Sequence, residues 1–353
     1  MLRMPAEWEP HERTWMAWPS EGYTMGASGS QMQATQMQAT QMQATLSAWA
    51  SVAHGVAQYE PLTMVADPTS IDTARQWLVG GTKHPITLME TPLDDAWMRD
   101  IGPTFVINTD RAHADSDTLT AVNWIFNGWG QQTWATWGND AHVAQAIISQ
   151  LGCPSFDSPL VNEGGGIHVD GRGTALVTET VQRDPYRNPG WTRADIEDHL
   201  REAIGVNRVI WLPRGLTRDY ETFGTRGHVD IVACFTPVGS VLVHDQQDPS
   251  HPDYAVCQVL HQCLKNSGLD IVTVPAPTIT TDDEGFVDYS YINHYVLNGA
   301  VLLCAFDDPH DEVAQRILAQ VYPDRHIELI DARRIFALGG GIHCITQQQP
   351  RLI

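Results

Sequence analysis

The sequence predicts an α/β protein built from a repeated unit. Short apolar runs of strand type alternate with helix-like stretches along the 353 residues, which argues α/β. The pentapeptide Gly-Gly-Gly-Ile-His occurs twice, at 164–168 and 339–343, and His-Val-Asp occurs at 168–170 and 228–230. Polar landmarks then recur about every 50–65 residues: Asp100, Glu163, His228, Asn293 and Cys344. We read these as remnants of a repeated ββα-type unit, each copy delivering one polar residue to a shared axis.

The elements follow in order. Residues 31–45 are three copies of Gln-Met-Gln-Ala-Thr, a low-complexity insertion. Its Gln, Met and Ala are good helix formers, so it should extend the helix read from LSAWASVAHGVAQY. Strands are predicted at 61–66, 174–180, 208–213, 240–245, 270–277 and 300–306, each a short apolar run rich in β-branched residues. Helices are predicted over 192–205 and 310–323, the second ending at a proline. The length exceeds what one undivided core usually supports, so two domains or one repeat-built domain is expected.

Asp and Glu number 42 against 21 Lys and Arg, a formal charge of −21. Nucleic acid needs a basic footprint and is excluded as a partner; small cations are favoured. The opening MLRMPAEWEPHER is polar and broken by prolines, unlike a signal peptide. The apolar run at 299–306 is too short to span a bilayer, so no membrane is expected. Six scattered cysteines read as reduced thiols of a cytoplasmic protein.

Neither glycine triplet matches a phosphate-binding loop, so close packing of a strand at a crowded centre is the better reading. On such a strand Ile342 and Cys344 would share one face, with His343 on the other. Cys344 stands apart from the other five cysteines, between a Gly triplet and a polar tail, and is the candidate nucleophile. His228 and Asp230 stand two apart in a strand-like stretch and so face one way. His168 and Asp170 have the same spacing, and spacing alone leaves the active pair open. Asp100 and Trp97 in DDAWMRDIGP offer a carboxylate and an aromatic wall for a planar cation; the bland alternative is a loop ion pair of Arg99 with a neighbouring Asp. Cys257, His261 and Cys263 lack a paired fourth ligand for zinc, and TDDEGFVD lacks calcium-loop spacing, so no metal is expected.

MPAEWEPHERTWMAWP, LDDAWMRDIGPTFV, FNGWG, VNEGGGIHVDG, TRGHVDIV, DYSYINHY and GGGIHCITQQQP together resemble the agmatine deiminase family, from about residue 4 to 350. That family belongs to the guanidine-modifying superfamily with bacterial peptidylarginine deiminases. The resemblance implies a five-bladed α/β propeller with pseudo-fivefold symmetry, the pentein fold, and a single deiminase domain over 1–353. It implies Cys344 as nucleophile, His228 as acid and base, and Asp100 and Asp230 as guanidinium carboxylates. Trp97, Glu163 and Asn293 are implied as further substrate contacts. It implies no cofactor, a small cationic guanidine as partner, and a role in polyamine and putrescine biosynthesis; a homodimer is the assembly it allows. Where the family carries Asp-Asn-Trp-Arg shortly after the Trp-Pro, this chain reads SEGYTMGASGS and then the repeats, which leaves the substrate tail open.

The expected reaction turns agmatine and water into N-carbamoylputrescine and ammonia through a thiouronium on Cys344. Deimination of free arginine, a guanidino acid or a C-terminal peptidyl arginine is the alternative. Amidinotransfer, metal-dependent release of urea and silent guanidine binding are the more distant readings.

Overall fold

The computed structural model describes residues 1–20, 24, 36–109, 117–220 and 224–352. Five sheets share one strand order. In each, a first strand pairs antiparallel with a second, and the second pairs parallel with a third. The sets are Thr104–Asn108, Thr118–Ile125 and Ser155–Val161; then Ile167–Val169, Thr174–Thr178 and Arg208–Leu212; then Ala233–Phe235, Val241–Asp245 and Ile271–Pro275; then Tyr295–Leu297, Ala300–Ala305 and His326–Asp331. The fifth joins the two ends of the chain. Thr346–Pro350 pairs antiparallel with His11–Ala17, Thr346 opposite Met16, and Leu62–Ala66 follows in parallel. Ile86–Glu90 extends that sheet, and Leu2–Arg3 extends the first.

A parallel neighbour requires a crossover, and each set has a helix there. These helices are Gln36–Val56, Val143–Leu151, Arg193–Ile204, Pro252–Asn266 and His310–Val321. The unit is therefore ββαβ, one strand longer than the predicted ββα. The predicted strands fall within a residue or two of those observed. Residues 36–45 of the repeat segment extend the following helix as expected, while residues 31–35 lie outside the described residues.

Local chemistry explains the boundaries. Thr192 caps the helix Arg193–Ile204: its hydroxyl accepts from the Asp195 amide, and the Asp195 carboxylate accepts from the Thr192 amide. Gly205, at φ 75°, ends it in the left-handed conformation. Ala300, Val301, Leu302 and Leu303 are all fully buried, covered on both faces, which is why this strand reads as a continuous apolar run.

The polar landmarks share one structural address. Asp100, Glu163, His228, Asn293 and Cys344 each lie two to five residues before the first strand of a set, and Asp230 lies in the turn that follows His228. None lies on that strand. The glycine triplets correct the predicted strand: Gly164–Gly166 form a tight turn before Ile167–Val169, and Ile342–Ile345 form a turn before Thr346. His228 likewise precedes the turn Val229–Ile231 instead of lying on a strand.

Candidate active site

Three of these pre-strand turns meet around Gly165. A Cβ there would stand 2.5 Å from His228 Nδ1 and 3.0 Å from both Asp100 Oδ1 and Asp230 Oδ2. Glycine is required by that close approach. The same holds at Gly164, whose Cβ would meet the Arg99 carbonyl at 2.3 Å.

Asp100 lies on the short helix Met98–Ile101 and is buried. Its Oδ1 accepts from the Gly165 amide at 3.1 Å and its Oδ2 from Trp129 Nε1 at 2.9 Å. Burial pushes its carboxyl up to about 6; the His228 charge pulls it down, while Glu163 and Asp230 push it up. Trp129 takes an unusual left-handed backbone, φ 55°, and stacks on Trp134 at 5.2 Å. Arg99 makes no pair with the acids of its own loop. It is buried, donating to Gln348 Oε1 at 2.8 Å and to the His343 carbonyl at 3.3 Å.

His228 is fixed from behind. Its Nε2 stands 3.2 Å from Glu163 Oε2, and its amide donates to Asp219 Oδ2 at 2.9 Å. Glu163 is itself gripped by Arg187, whose Nε donates to both carboxylate oxygens at 2.9 and 3.0 Å. Burial alone would lower the imidazole pKa, but Asp100, Glu163 and Asp230 together raise it to about 9. That shift favours the imidazolium form at neutral pH, and Nδ1, 3.9 Å from Asp100 Oδ2, has no hydrogen-bond partner among the described residues.

Cys344 is held by Asn293. Asn293 Oδ1 accepts from the His343 amide at 3.1 Å and from the Cys344 amide at 3.4 Å, and its Nδ2 lies 3.2 Å from Sγ. Sγ is 3.6 Å from Asp230 Oδ2. Gly340 is tight against it: a Cβ would lie 2.9 Å from Sγ and 2.7 Å from the Trp97 ring. Burial, Asp230 and Asp100 hold the thiol well above its ordinary pKa; the Gly341 amide and Asn293 pull the other way and do not prevail. The Gly341 amide thus favours the thiolate without outweighing burial and the two acids in the free site.

Beneath Asp230 runs a buried chain of charges. His343 Nδ1 meets Asp230 Oδ2 at 2.8 Å, and His343 Nε2 meets Glu7 Oε1 at 2.8 Å. Burial raises the Asp230 pKa, but His343, His228 and Arg99 bring it net below the ordinary carboxylate value. Its Oδ1 has no hydrogen-bond partner among the described residues. So a buried carboxylate oxygen, a buried imidazolium nitrogen and a thiol face one region beside two acids. Among the described residues no group of three or more His, Cys, Asp or Glu could hold a metal ion.

Residues 3–350 match the sequence profile of the Porphyromonas-type peptidyl-arginine deiminase family. The chain belongs to that family. A relative from Streptomyces coelicolor is 51% identical, with 99% of each chain covered. The agmatine deiminase of Pseudomonas aeruginosa (strain LESB58) is 37% identical, covering 99% of this chain and 95% of the relative. The solved agmatine deiminase of Enterococcus faecalis superposes with a TM-score of 0.85 at 30% identity, over 100% of this chain and 96% of that one.

In this peptidyl-arginine deiminase family member, the residues singled out from sequence gather as a cluster, with some changes of position. Glu163, expected at the substrate, has its oxygens engaged by Arg187 and His228 and sits behind the imidazole. Asn293 lies under the nucleophile turn, and Trp97 packs edge-on to Trp49 at 5.9 Å, against Gly340. His343 does not face away from Cys344's surroundings; in a turn, unlike a strand, neighbours can reach one carboxylate. The second His-Asp pair is engaged elsewhere: Asp170 Oδ1 accepts from the Arg172 and Thr174 amides, His168 Nδ1 accepts from the Phe235 amide, and His168 Nε2 stands 3.7 Å from Glu7 Oε2. Cys257, His261 and Cys263 engage separate backbone groups, of Gln246, His244 and Trp211. TDDEGFVD folds as a small hairpin, with Arg218 paired to Asp282 and Glu284. Sequence reasoning missed Trp129, Arg187, Glu7 and His343. The first lies in FNGWG and the third in the opening segment, both quoted motifs without assigned roles; nothing marked Arg187. Residues 25–35, the remainder of the variable segment after Trp18-Pro19, lie outside the described residues.

Proposed function

We propose that this protein is an agmatine deiminase, hydrolysing the guanidinium to a ureido group. The observation that carries the reading is the convergence of Asp100, Asp230 and His228 around Gly165, with Cys344 Sγ against Asp230 and with Asp230 Oδ1 and His228 Nδ1 left unpartnered. A guanidinium is planar, always charged and rich in N–H donors. Asp100 and Asp230 can hold two of its edges in fork geometry and set its carbon before Cys344.

The charges fit the order of events. In the free site the acids keep the thiol protonated. An incoming guanidinium offsets those acids, and the thiol releases its proton to water. The thiolate then bonds to the guanidinium carbon, and the C=N electron pair moves onto nitrogen. His228, already protonated, gives its proton to the departing nitrogen. The C–N bond breaks, ammonia leaves, and a thiouronium stays on Sγ. Water adds to the same carbon while the now neutral His228 takes its proton. The C–S bond breaks as the hydroxyl proton of the adduct passes to the departing sulfur, the neutral ureido product leaves, and Cys344 returns as the thiol that the free site holds. Glu163 and Arg187 orient the imidazole, and Asn293 orients the nucleophile turn. The reaction needs no metal or organic cofactor.

The five like sheets, each with a polar residue before its first strand, support a five-bladed propeller forming a single domain over 1–353. The small cationic substrate is the partner we propose, in a cytoplasmic enzyme. Six free cysteines favour that compartment. No described helix is long and apolar enough to cross a membrane. The reading is tested by incubating the protein separately with agmatine and with arginine, then assaying ureido product and ammonia. Agmatine should give one of each per turnover. Ureido product from arginine alone would move the assignment to another guanidine, and release of urea would overturn the chemistry.

A further inference from the structure

A second acidic position lies beside the nucleophile turn. A cavity of about 20 Å³ is lined by Arg218, Asp219, Asp288, Phe336, Ala337 and Gly339, among others. That is room for a single water-sized group. Gly339 is the residue before Gly340, which abuts Sγ, and Phe336 reaches the same turn: a Cβ at Gly341 would lie 2.7 Å from its ring. The cavity thus adjoins the Cys344 turn through Gly339 and shares Phe336 with it.

Asp288 is the unusual member. It is 8% exposed, yet no hydrogen bond or ion pair joins its side chain to another described residue. The other charged groups around the cavity are engaged. Asp219 accepts from Thr225 and from the His228 amide, while Arg218 is paired with Asp282 and Glu284. A buried carboxylate with so little to offset its charge is costly, and here burial, then Asp219, pushes the carboxyl up to about 7 against the pull of Arg218 and of its own backbone amide. A positive group placed in the cavity would restore its ionisation. Phe336 and Ala337 supply an apolar wall, suited to methylenes leading to such a group.

We propose that Asp288 receives a primary ammonium group, the distal end of a guanidine substrate whose other end is held before Cys344. This rests on the deiminase reading and names what selects the substrate tail. It makes Asp288 a specificity-determining residue that discriminates agmatine from guanidines with neutral or acidic tails.

The test uses the full chain with Asp288→Asn and Asp288→Ala, and three substrates: agmatine, n-butylguanidine and 4-guanidinobutyrate. Wild type should prefer agmatine to the other two in kcat/KM. In D288N the KM for agmatine should rise about 10–100-fold, as for loss of one partly buried charge partner, with kcat nearly kept. The constants for n-butylguanidine should stay within about twofold, a pattern that general structural damage would not give. Equal losses on agmatine and n-butylguanidine would make Asp288 structural and overturn the proposal. So would an unchanged agmatine KM. If both variants fail to fold, the wild-type ranking decides, and no preference for the cationic tail overturns it. Absence of turnover of any guanidine by wild type sinks the deiminase reading and this inference together, whereas turnover without tail selectivity sinks this inference alone.

Discussion

Asp230 Oδ2 lies between two consecutive residues of one turn, 2.8 Å from His343 Nδ1 and 3.6 Å from Cys344 Sγ. One oxygen thus links the Cys344 thiol to a buried imidazole that Glu7 holds from the far side. The arrangement keeps Asp230 ionised next to a thiol that its charge keeps protonated. Such a site is poised to ionise its sulfur only when a cation arrives.

Cys344→Ala should reduce ureido formation from agmatine by about 10⁴-fold or more, because the covalent route is removed whole. The side chain is small and the melting temperature should change little. The check is a single-turnover assay at high enzyme concentration beside a thermal melt. Normal turnover would rule out a sulfur nucleophile.

The pH profile of kcat/KM should be bell-shaped, reporting the free enzyme. Asp100 must be ionised to hold the substrate, so activity rises as pH climbs through about 6. His228 must be protonated to release ammonia, so activity falls as pH passes about 9. The same His228 shift, upward from 6.5, adds stability that is fully present below pH 6.5 and is lost as pH rises through about 9. Asp100→Asn should remove the acid limb. An acid limb that persists unchanged in that variant would mean another group governs it.

His343→Gln should act through Asp230. Without the imidazolium, the Asp230 pKa rises, since burial is then less opposed. The Asp230 limb should move up from low pH toward that of Asp100, steepening the acid side of the profile, and kcat/KM should fall about 10²-fold, in line with breaking a buried charge pair. Glu7→Gln should produce a weaker shift in the same direction. Equal loss at every pH would instead indicate simple structural damage.

Gly165→Ala should be far more harmful to catalysis than to folding. The added methyl would press on His228 Nδ1, Asp100 Oδ1 and Asp230 Oδ2 together. A loss of about 10²-fold or more in kcat is expected, as for misplacement of reacting groups by about an ångström. Near-normal rates would show that the three side chains do not need their present positions.

Agmatine turnover should survive prolonged EDTA treatment without loss. Thiol, imidazolium and carboxylates already supply nucleophile, proton donor and charge stabilisation. Inactivation by chelator, restored by a divalent ion, would bring back the metal-hydrolase reading.

Much of this protein can be read along the chain because its signals are local. Apolar runs marked the strands, Thr192 and Gly205 bounded a helix, and the repeated words pointed to a repeated unit. Asp100, His228 and Cys344 were legible as polar landmarks near glycines, whereas Asp230 was picked out by its spacing from His228 and by the family resemblance. Tertiary structure decided the rest. It made Glu163 a partner of His228 and Arg187, since only packing brings residue 187 to 163. It set His228 among Asp100, Glu163 and Asp230, while His168 lies between the Phe235 amide and Glu7. It turned the glycine triplets into tight turns, which let His343 and Cys344 meet one carboxylate. Periodicity encodes elements because hydrogen bonding and burial repeat along the backbone, whereas a pKa or a shared oxygen depends on residues more than a hundred positions apart, and no local pattern carries that distance.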